Sequence, residues 1–403
     1  MTDEPNTYIG QRVRAIRARR GITQQVLADR AGLGRSVLAK YEAGLRPIDS
    51  RRTMLALAQA LGVTLGDLTG HEQDKLDPST AGFHSVVPEL EAVLWSQGNV
   101  TDTRLPRSLE ELATAAKEAT LYRQNGDYAA LGPLLVPMLT DSFRHVRDNG
   151  SPQAWDIHGA IVYGVASALR SRGYEALSWT AAQESERAAR ETGGTASLAA
   201  VSYLRSQILM SRPGALPAAL EQSEQVADRL VPDVRTRGDI ETVGMLHLQA
   251  SLVSATMGKD PQPHLAEAAE QAGRLDDAPA GASQARNRTF GAANVTLWKM
   301  SAAMERREPG QVLDLEPTLS PADLPADARR AQFFVEVGRA HTMQRDHRSA
   351  LNALLRAEHA APQHARAMPI VRELVGHMMR TARRDLTTGD LGRLAQRVGV
   401  VPV

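Results

Sequence analysis

Cysteine is absent from this chain of 403 residues. Its absence excludes disulfides and thiolate-held metal sites, and it suits a reducing cytoplasm. Aromatic residues make up only 4% of the chain, and β-branched runs are scarce, while Ala and Arg abound. That composition favours packed helices with small-residue contacts over sheets. No apolar stretch approaches the ~18 residues a membrane span requires, so no membrane partner is expected. The opening residues, MTDEPNTY, are polar and acidic and carry no secretory signal. Catalytic patterns are missing too. The 11 histidines are scattered, His359 and His364 miss the spacing of a metal-binding helix, and no HExxH occurs. Asp276 and Asp277 read as solvated carboxylates near a loop. GLGR at 32–35 lacks the Lys-Ser/Thr of a phosphate loop, and no serine lies in a G-x-S-x-G context. No catalytic residue, metal or cofactor is expected, and the chain does not read as an enzyme.

What is present is an uneven distribution of charge. The net charge of +1 conceals 11 basic and 6 acidic residues within positions 1–70, and an excess of acid in the rest. A basic head on an acidic body suits anion binding by the head alone.

The head reads as five short helices between residues 8 and 69. Ile9, Val13 and Ile16 recur at helical spacing in the first, which Gly21 stops. Thr23 is placed to cap the second, which buries Leu27, Ala28 and Ala31. Gly32 follows that helix where a left-handed backbone is needed. The third runs from Gly34 or Arg35 to Ala43, and Gly44 closes it. Ser50 caps the fourth, and Val63, Leu65 and Leu68 seat the last. At ~100° per residue, Val37, Leu38 and Tyr41 share one side of the third helix. Arg35, Ser36, Ala39 and Lys40 lie on the opposite side. A helix fits the DNA major groove, and a guanidinium, a hydroxyl and an ammonium suit base edges and phosphates.

Several motifs coincide here: I-R at 16–17, G-I-T-Q at 21–24, L-A at 27–28, A-G at 31–32, E-A-G at 42–44 and L-A-Q-A-L-G-V at 57–63. Together they resemble the helix-turn-helix family of phage repressors and xenobiotic-response-element regulators, with its lambda-repressor-like five-helix fold. The resemblance implies that Gln24, opening the second helix, bonds a phosphate. It implies that Arg35 and Ser36 read bases, with Ala39 and Lys40 one turn on. It also implies a structural ion pair between Arg17 and Glu42. Arg46, after Gly44, suits a backbone phosphate. Ala43 departs from the amide or charged residue many members carry, and Ala39 offers only a methyl, which suits thymine or simply leaves room.

Residues 71–82 read as a polar linker. Beyond it the pattern is helical almost to the end: an atypical connecting unit over 83–148, then a repetitive region over 149–403. Long helix, tight turn, shorter helix is the alternation of an α-solenoid. Residues 331–363 resemble a tetratricopeptide repeat (TPR), with Gly338, Ala350, Ala357 and Pro362 at its small-residue and terminal-proline positions and His341 where an aromatic is usual. A second match starts at Gly159, with Ala166, Ser178 and Ala182 as small residues and Gly173 at the turn. About six helix pairs are expected. Small residues let paired helices approach, and the stack leaves a concave groove. Tyr163, Tyr203, Gln207, His247, Asn294 and Trp298 are the residues assigned to an effector in that groove.

The expectation is an all-α protein with a helix-turn-helix head and a TPR-like solenoid. It would be a cytoplasmic, sequence-specific transcriptional regulator acting as a homodimer on double-stranded DNA, with a peptide or small-molecule effector. Two alternatives stay open: a TPR scaffold for partner proteins with secondary DNA binding, and an enzyme with a DNA-binding head.

Overall fold

The computed structural model describes residues 8–70, 80–100, 103–230, 232, 234–277, 289–382 and 389–400. Among them there are helices and turns but no strands, and no helix is long and apolar enough to cross a membrane. Most of the expected linker lies outside the described residues.

The head comprises α1 (Ile9–Arg19), α2 (Gln24–Arg30), α3 (Arg35–Glu42), α4 (Arg51–Leu61) and α5 (Leu65–Thr69). Local chemistry sets their ends. The Thr23 side chain accepts the Val26 amide, Ser50 accepts that of Thr53, and Thr64 and Asp67 form a reciprocal capping box. Gly32 turns the chain between α2 and α3 at φ +64°, a conformation that costs a side-chain-bearing residue. Ile9, Val13, Leu27, Leu38, Ile48, Leu57, Leu61 and Leu68 form one core under these helices. Gly10 is fixed by packing: a Cβ there would lie 1.9 Å from the Tyr41 carbonyl oxygen, so the crossing of α1 on α3 admits only glycine.

The rest of the chain begins with α6 (Ala81–Ser85), α7 (Val87–Trp95), α8 (Leu109–Asn125) and α9 (Tyr128–Asp148). Then follow α10 (Pro152–Ser171), α11 (Glu175–Glu191), α12 (Thr195–Leu209), α13 (Leu216–Leu230), α14 (Arg237–Met257), α15 (Gln262–Gly273), α16 (Ala292–Glu305), α17 (Pro309–Leu315), α18 (Asp327–Met343) and α19 (His347–Ala360). The chain closes with α20 (Pro362–Ala367), α21 (Pro369–Thr381) and α22 (Asp390–Arg397). Consecutive helices pair, and the first members of successive pairs, α10, α12, α14, α16 and α18, also pack on one another. This is the solenoid. Its inner helices are enclosed on nearly every side: from Ile240 to Thr256 every residue of α14 is buried. Outer helices such as α13 and α19 bury one stripe and leave the other in water.

Small residues set the spacing within pairs. A Cβ on Gly338 of α18 would come within 3.0 Å of Leu354 on α19. Ser178 of α11 donates its hydroxyl to the Ala166 carbonyl at 2.7 Å, and Ser206 of α12 donates to Ala219 at 2.8 Å. A hydroxyl at such a contact both fits the narrow gap and satisfies its own polarity against the neighbouring helix.

The last units return to the first ones. α18 touches α8, the Gln363 side chain accepts the Ala129 amide and donates to Asp127, and Arg172 donates to the Gln363 carbonyl. The stack therefore closes into a ring with the inner helices around its middle.

Candidate nucleic-acid interface

The geometry of α3 starts from its sequence. Leu38, Tyr41 and Glu42 are buried, while Arg35, Ser36 and Lys40 are exposed and Ala39 is half-buried. The helix begins after Gly34, which has no side chain to cap it, so the Arg35 and Ser36 amides carry no side-chain cap, while the Val37 amide bonds back to the Gly34 carbonyl at 3.0 Å. An uncapped helix start beside a guanidinium favours anions. Among the described residues, nothing covers the face carrying Arg35, Ser36 and Lys40.

Behind that face sits a buried carboxylate. Glu42 accepts Arg17 Nε at 2.6 Å on one oxygen and a second guanidinium nitrogen at 2.9 Å on the other. Arg17 also donates to the Ile22 carbonyl at 2.9 Å. These bonds hold the Arg17 pKa above its ordinary range, the hydrogen bond to Glu42 being the main cause. The pair ties α1 to the end of α3. The Gln24 side-chain nitrogen donates to the same carboxylate at 2.7 Å, which adds the start of α2. Gln24 therefore keeps one amide hydrogen for an outside acceptor. Arg46 lies with its guanidinium 5.4 Å from the Tyr41 ring centre, half-buried.

A cleft of about 1170 Å³ separates this part of the head from the body. Leu33, Val37, Tyr41 and Arg46 line one wall, and Lys259, Lys299, Gln311 and Leu315 the other. Val37 and Tyr41 point away from Arg35 on α3, so the cleft opens behind the Arg35 side of the exposed face.

The head is seated on the body by buried polar groups that the sequence reading missed. Glu373 of α21 accepts the backbone amides of Ile9 at 3.1 Å and Ile48 at 3.0 Å. Burial pushes the Glu373 carboxyl up, and those two amides pull it back. Glu305, the last residue of α16, accepts the Arg51 amide at 2.9 Å and so caps α4 from outside. Arg339 of α18 donates to Glu336 at 2.6 Å, to Glu305 at 3.3 Å and to the Asp49 carbonyl at 2.5 Å. Arg307 reaches the Asp49 carboxylate at 3.3 Å, and Arg380 stacks 4.0 Å from the Tyr8 ring centre. A signal for part of this was present. Glu336 and Arg339 interrupt the run AQFFVEVGRA, and charges inside an otherwise apolar helix are buried pairs more often than surface groups.

The six residues assigned to an effector divide. Tyr203 accepts Gln207 at 2.7 Å and lies in the field of Tyr163, Arg170 and Arg329. Trp298 stacks with Arg329 at 5.7 Å. These four therefore share one neighbourhood. Asn294, buried one turn before Trp298, turns its side-chain nitrogen to the Met245 sulfur at 3.5 Å. His247 stands apart, facing His264 at 3.5 Å, and His264 in turn meets Glu224 at 3.2 Å.

Residues 9–71 match the family model of a helix-turn-helix domain. The head is a helix-turn-helix domain. The immunity repressor protein of Bacillus phage phi105 is 44% identical over 64 residues, which cover 16% of this chain and 44% of the repressor. The chain thus spans less than half the length of that relative. No solved structure matches the chain significantly. Within the helix-turn-helix domain, α2 and α3 are the paired helices and Ala31–Gly34 is their turn. Among the described residues no group of His, Asp or Glu could hold a metal ion.

Proposed function

We propose that this chain is a sequence-specific DNA-binding transcriptional regulator. The observation that carries the reading is the exposed trio Arg35, Ser36 and Lys40 on the second helix of a helix-turn-helix domain. α3 enters the major groove with Arg35 and Ser36 over base edges, Ala39 against a thymine methyl or a gap, and Lys40 at a phosphate or base. Gln24 gives its remaining amide hydrogen to a phosphate, and Arg46 swings from Tyr41 to another. Arg17 and Glu42 hold the frame and touch no DNA.

The helix-pair body is TPR-like in its use of Gly338, Ala350 and Ala357, and of Ala166, Ser178 and Ala182, at helix contacts. We assign it dimerisation and effector binding, in a cytoplasmic protein without catalytic activity. A homodimer follows from size: one small module reads too few base pairs to be selective, and two heads about 34 Å apart would double the contact. The body's seat on the head supports the effector role, because any body state that alters the bonds of Glu373, Glu305 or Arg339 alters the head's placement.

Selection of bound duplexes from a random pool, followed by a salt titration, tests this. A recovered inverted repeat and a steep loss of affinity with salt are expected. Failure to bind any duplex at about 50 mM salt would remove the regulator reading and leave the scaffold alternative.

A further inference from the structure

Within the ring, basic groups converge on one another. Arg170 lies on α10, Arg172 just beyond it, Arg329 on α18 and His364 on α20. His364 lies in the field of all three arginines, and no carboxylate appears among the groups acting on it. Arg170 and His364 are surrounded by protein, yet each keeps some accessible surface, so they border an internal space. Glu175 lies in the field of Arg170, but it is bonded to Ser211 and paired with Arg212 at 3.5 Å. Gathering like charges in a desolvated interior is unfavourable unless an opposite charge joins them.

The polar groups around the cluster are mostly donors. The Tyr203 hydroxyl accepts Gln207 and is hydrogen-bonded with Arg329, which leaves its own proton to give. The indole N–H of Trp298, a residue 3% exposed, has no partner among the described residues, and neither does Arg170 Nε. A lining of unspent donors calls for a ligand that only accepts. Tyr203 and Trp298 add flat apolar faces beside them. We infer that the ring holds a compact organic anion, its acid group between Arg170 and Arg329 and its planar part against Tyr203 and Trp298. This deepens the effector reading and rests on it. Arg51, the first residue of α4, lies within the field of Arg170. An anion beside Arg170 would cancel the repulsion between them and tighten the seat of the head.

The test is thermal unfolding of the full chain after dialysis into chloride buffer. The probes are inorganic phosphate, benzoate and the neutral benzamide, at equal ionic strength. Phosphate or benzoate should raise the wild-type midpoint by about 2–4 °C once well above its Kd, and benzamide should not. A response to phosphate alone points to a phosphate ester, and a response to benzoate alone to a carboxylate. Arg170→Gln and Arg329→Gln should unfold at higher temperature than wild type in chloride and lose the response, while Arg170→Lys keeps it. The inference is overturned if wild type answers neither anion, if benzamide acts like benzoate, or if the Gln variants respond as wild type does. A benzamide response would leave the effector reading standing, and duplex binding measured on the same samples judges the regulator reading separately.

Discussion

The buried carboxylate of Glu373 accepts the backbone amide of Ile48 at 3.0 Å, across 325 positions of sequence. Its other oxygen takes the amide of Ile9. Glu373→Gln removes one acceptor and turns an NH₂ toward a backbone N–H, leaving a buried donor unsatisfied. A loss of about 1–3 kcal/mol is expected in the seat of the head. Amide hydrogen exchange would show it as faster exchange at residues 8–10 and 46–50, with the α14–α16 core unchanged. Uniform acceleration throughout the chain would mean that Glu373 supports the whole fold and not the seat.

Arg17 and Glu42 carry the second prediction. Removing one partner of a buried pair strands the other charge. Arg17→Ala leaves Glu42, 2% exposed at its side chain, with Gln24 as its remaining side-chain partner. The helix-turn-helix domain should lose about 3 kcal/mol by denaturant unfolding. A double variant, Arg17→Met with Glu42→Leu, should recover most of that stability, because it leaves no charge to strand. If the double variant is no better than the single, the pair acts through shape and not through charge.

Arg35 and Lys40 separate two kinds of contact. Both are exposed, so alanine at either should leave stability within about 0.5 kcal/mol. Arg35→Ala is expected to cost about 1–3 kcal/mol on the selected duplex and relax one base position. Lys40→Ala, if its ammonium meets a phosphate, weakens all duplexes alike and lowers the salt slope by about 1. Titrations of each variant on the selected and a scrambled duplex at several salt concentrations distinguish the two. Equal weakening on both duplexes by Arg35→Ala would place its guanidinium on a phosphate.

The head was legible because its signals are local. Thr23, Ser50 and Gly32 mark boundaries by their own chemistry, and the angle of α3 follows from Leu38 and Tyr41 alone. The all-helical body was legible for the same reason, in the small residues at Gly338, Ala350 and Ser178. The seat of the head was not. Glu373, Glu305 and Arg339 find partners some 250 to 360 residues away, and periodicity says nothing about distant partners. The interior of the ring was half legible. Tyr163, Tyr203, Gln207 and Trp298 meet near Arg170 and Arg329, two residues sequence reasoning passed over because arginines near helix ends usually face water. His247 went elsewhere because α14 is enclosed on all sides, and a helix without a polar face gives no hint of which side points inward.

Acid should loosen the head, and the sign follows from three histidines. Burial presses the pKa of His247, His364 and His377 down to about 4. In the unfolded chain each returns to about 6.5. Between those values the unfolded chain binds more protons, so stability that is complete above pH 6.5 is lost as pH falls toward 4. Glu373 and Glu175 act in the opposite sense, since burial raises both, but they begin only as pH nears their own range, where Glu184 and Glu358, both held below the usual carboxylate range, lose stability along with the histidines. His377 reports on the seat itself: it is bonded to the backbone of Gly44 and shares its surroundings with Arg380, His347 and Asp49. A proton there adds a cation beside Arg380. The unfolding midpoint of the wild-type chain should therefore drop between pH 6.5 and 4.5, with exchange at residues 44–50 rising first. In His377→Gln the early rise should vanish while the later drop, set by His247 and His364, persists. An unchanged profile in that variant would remove His377 from the account of acid sensitivity.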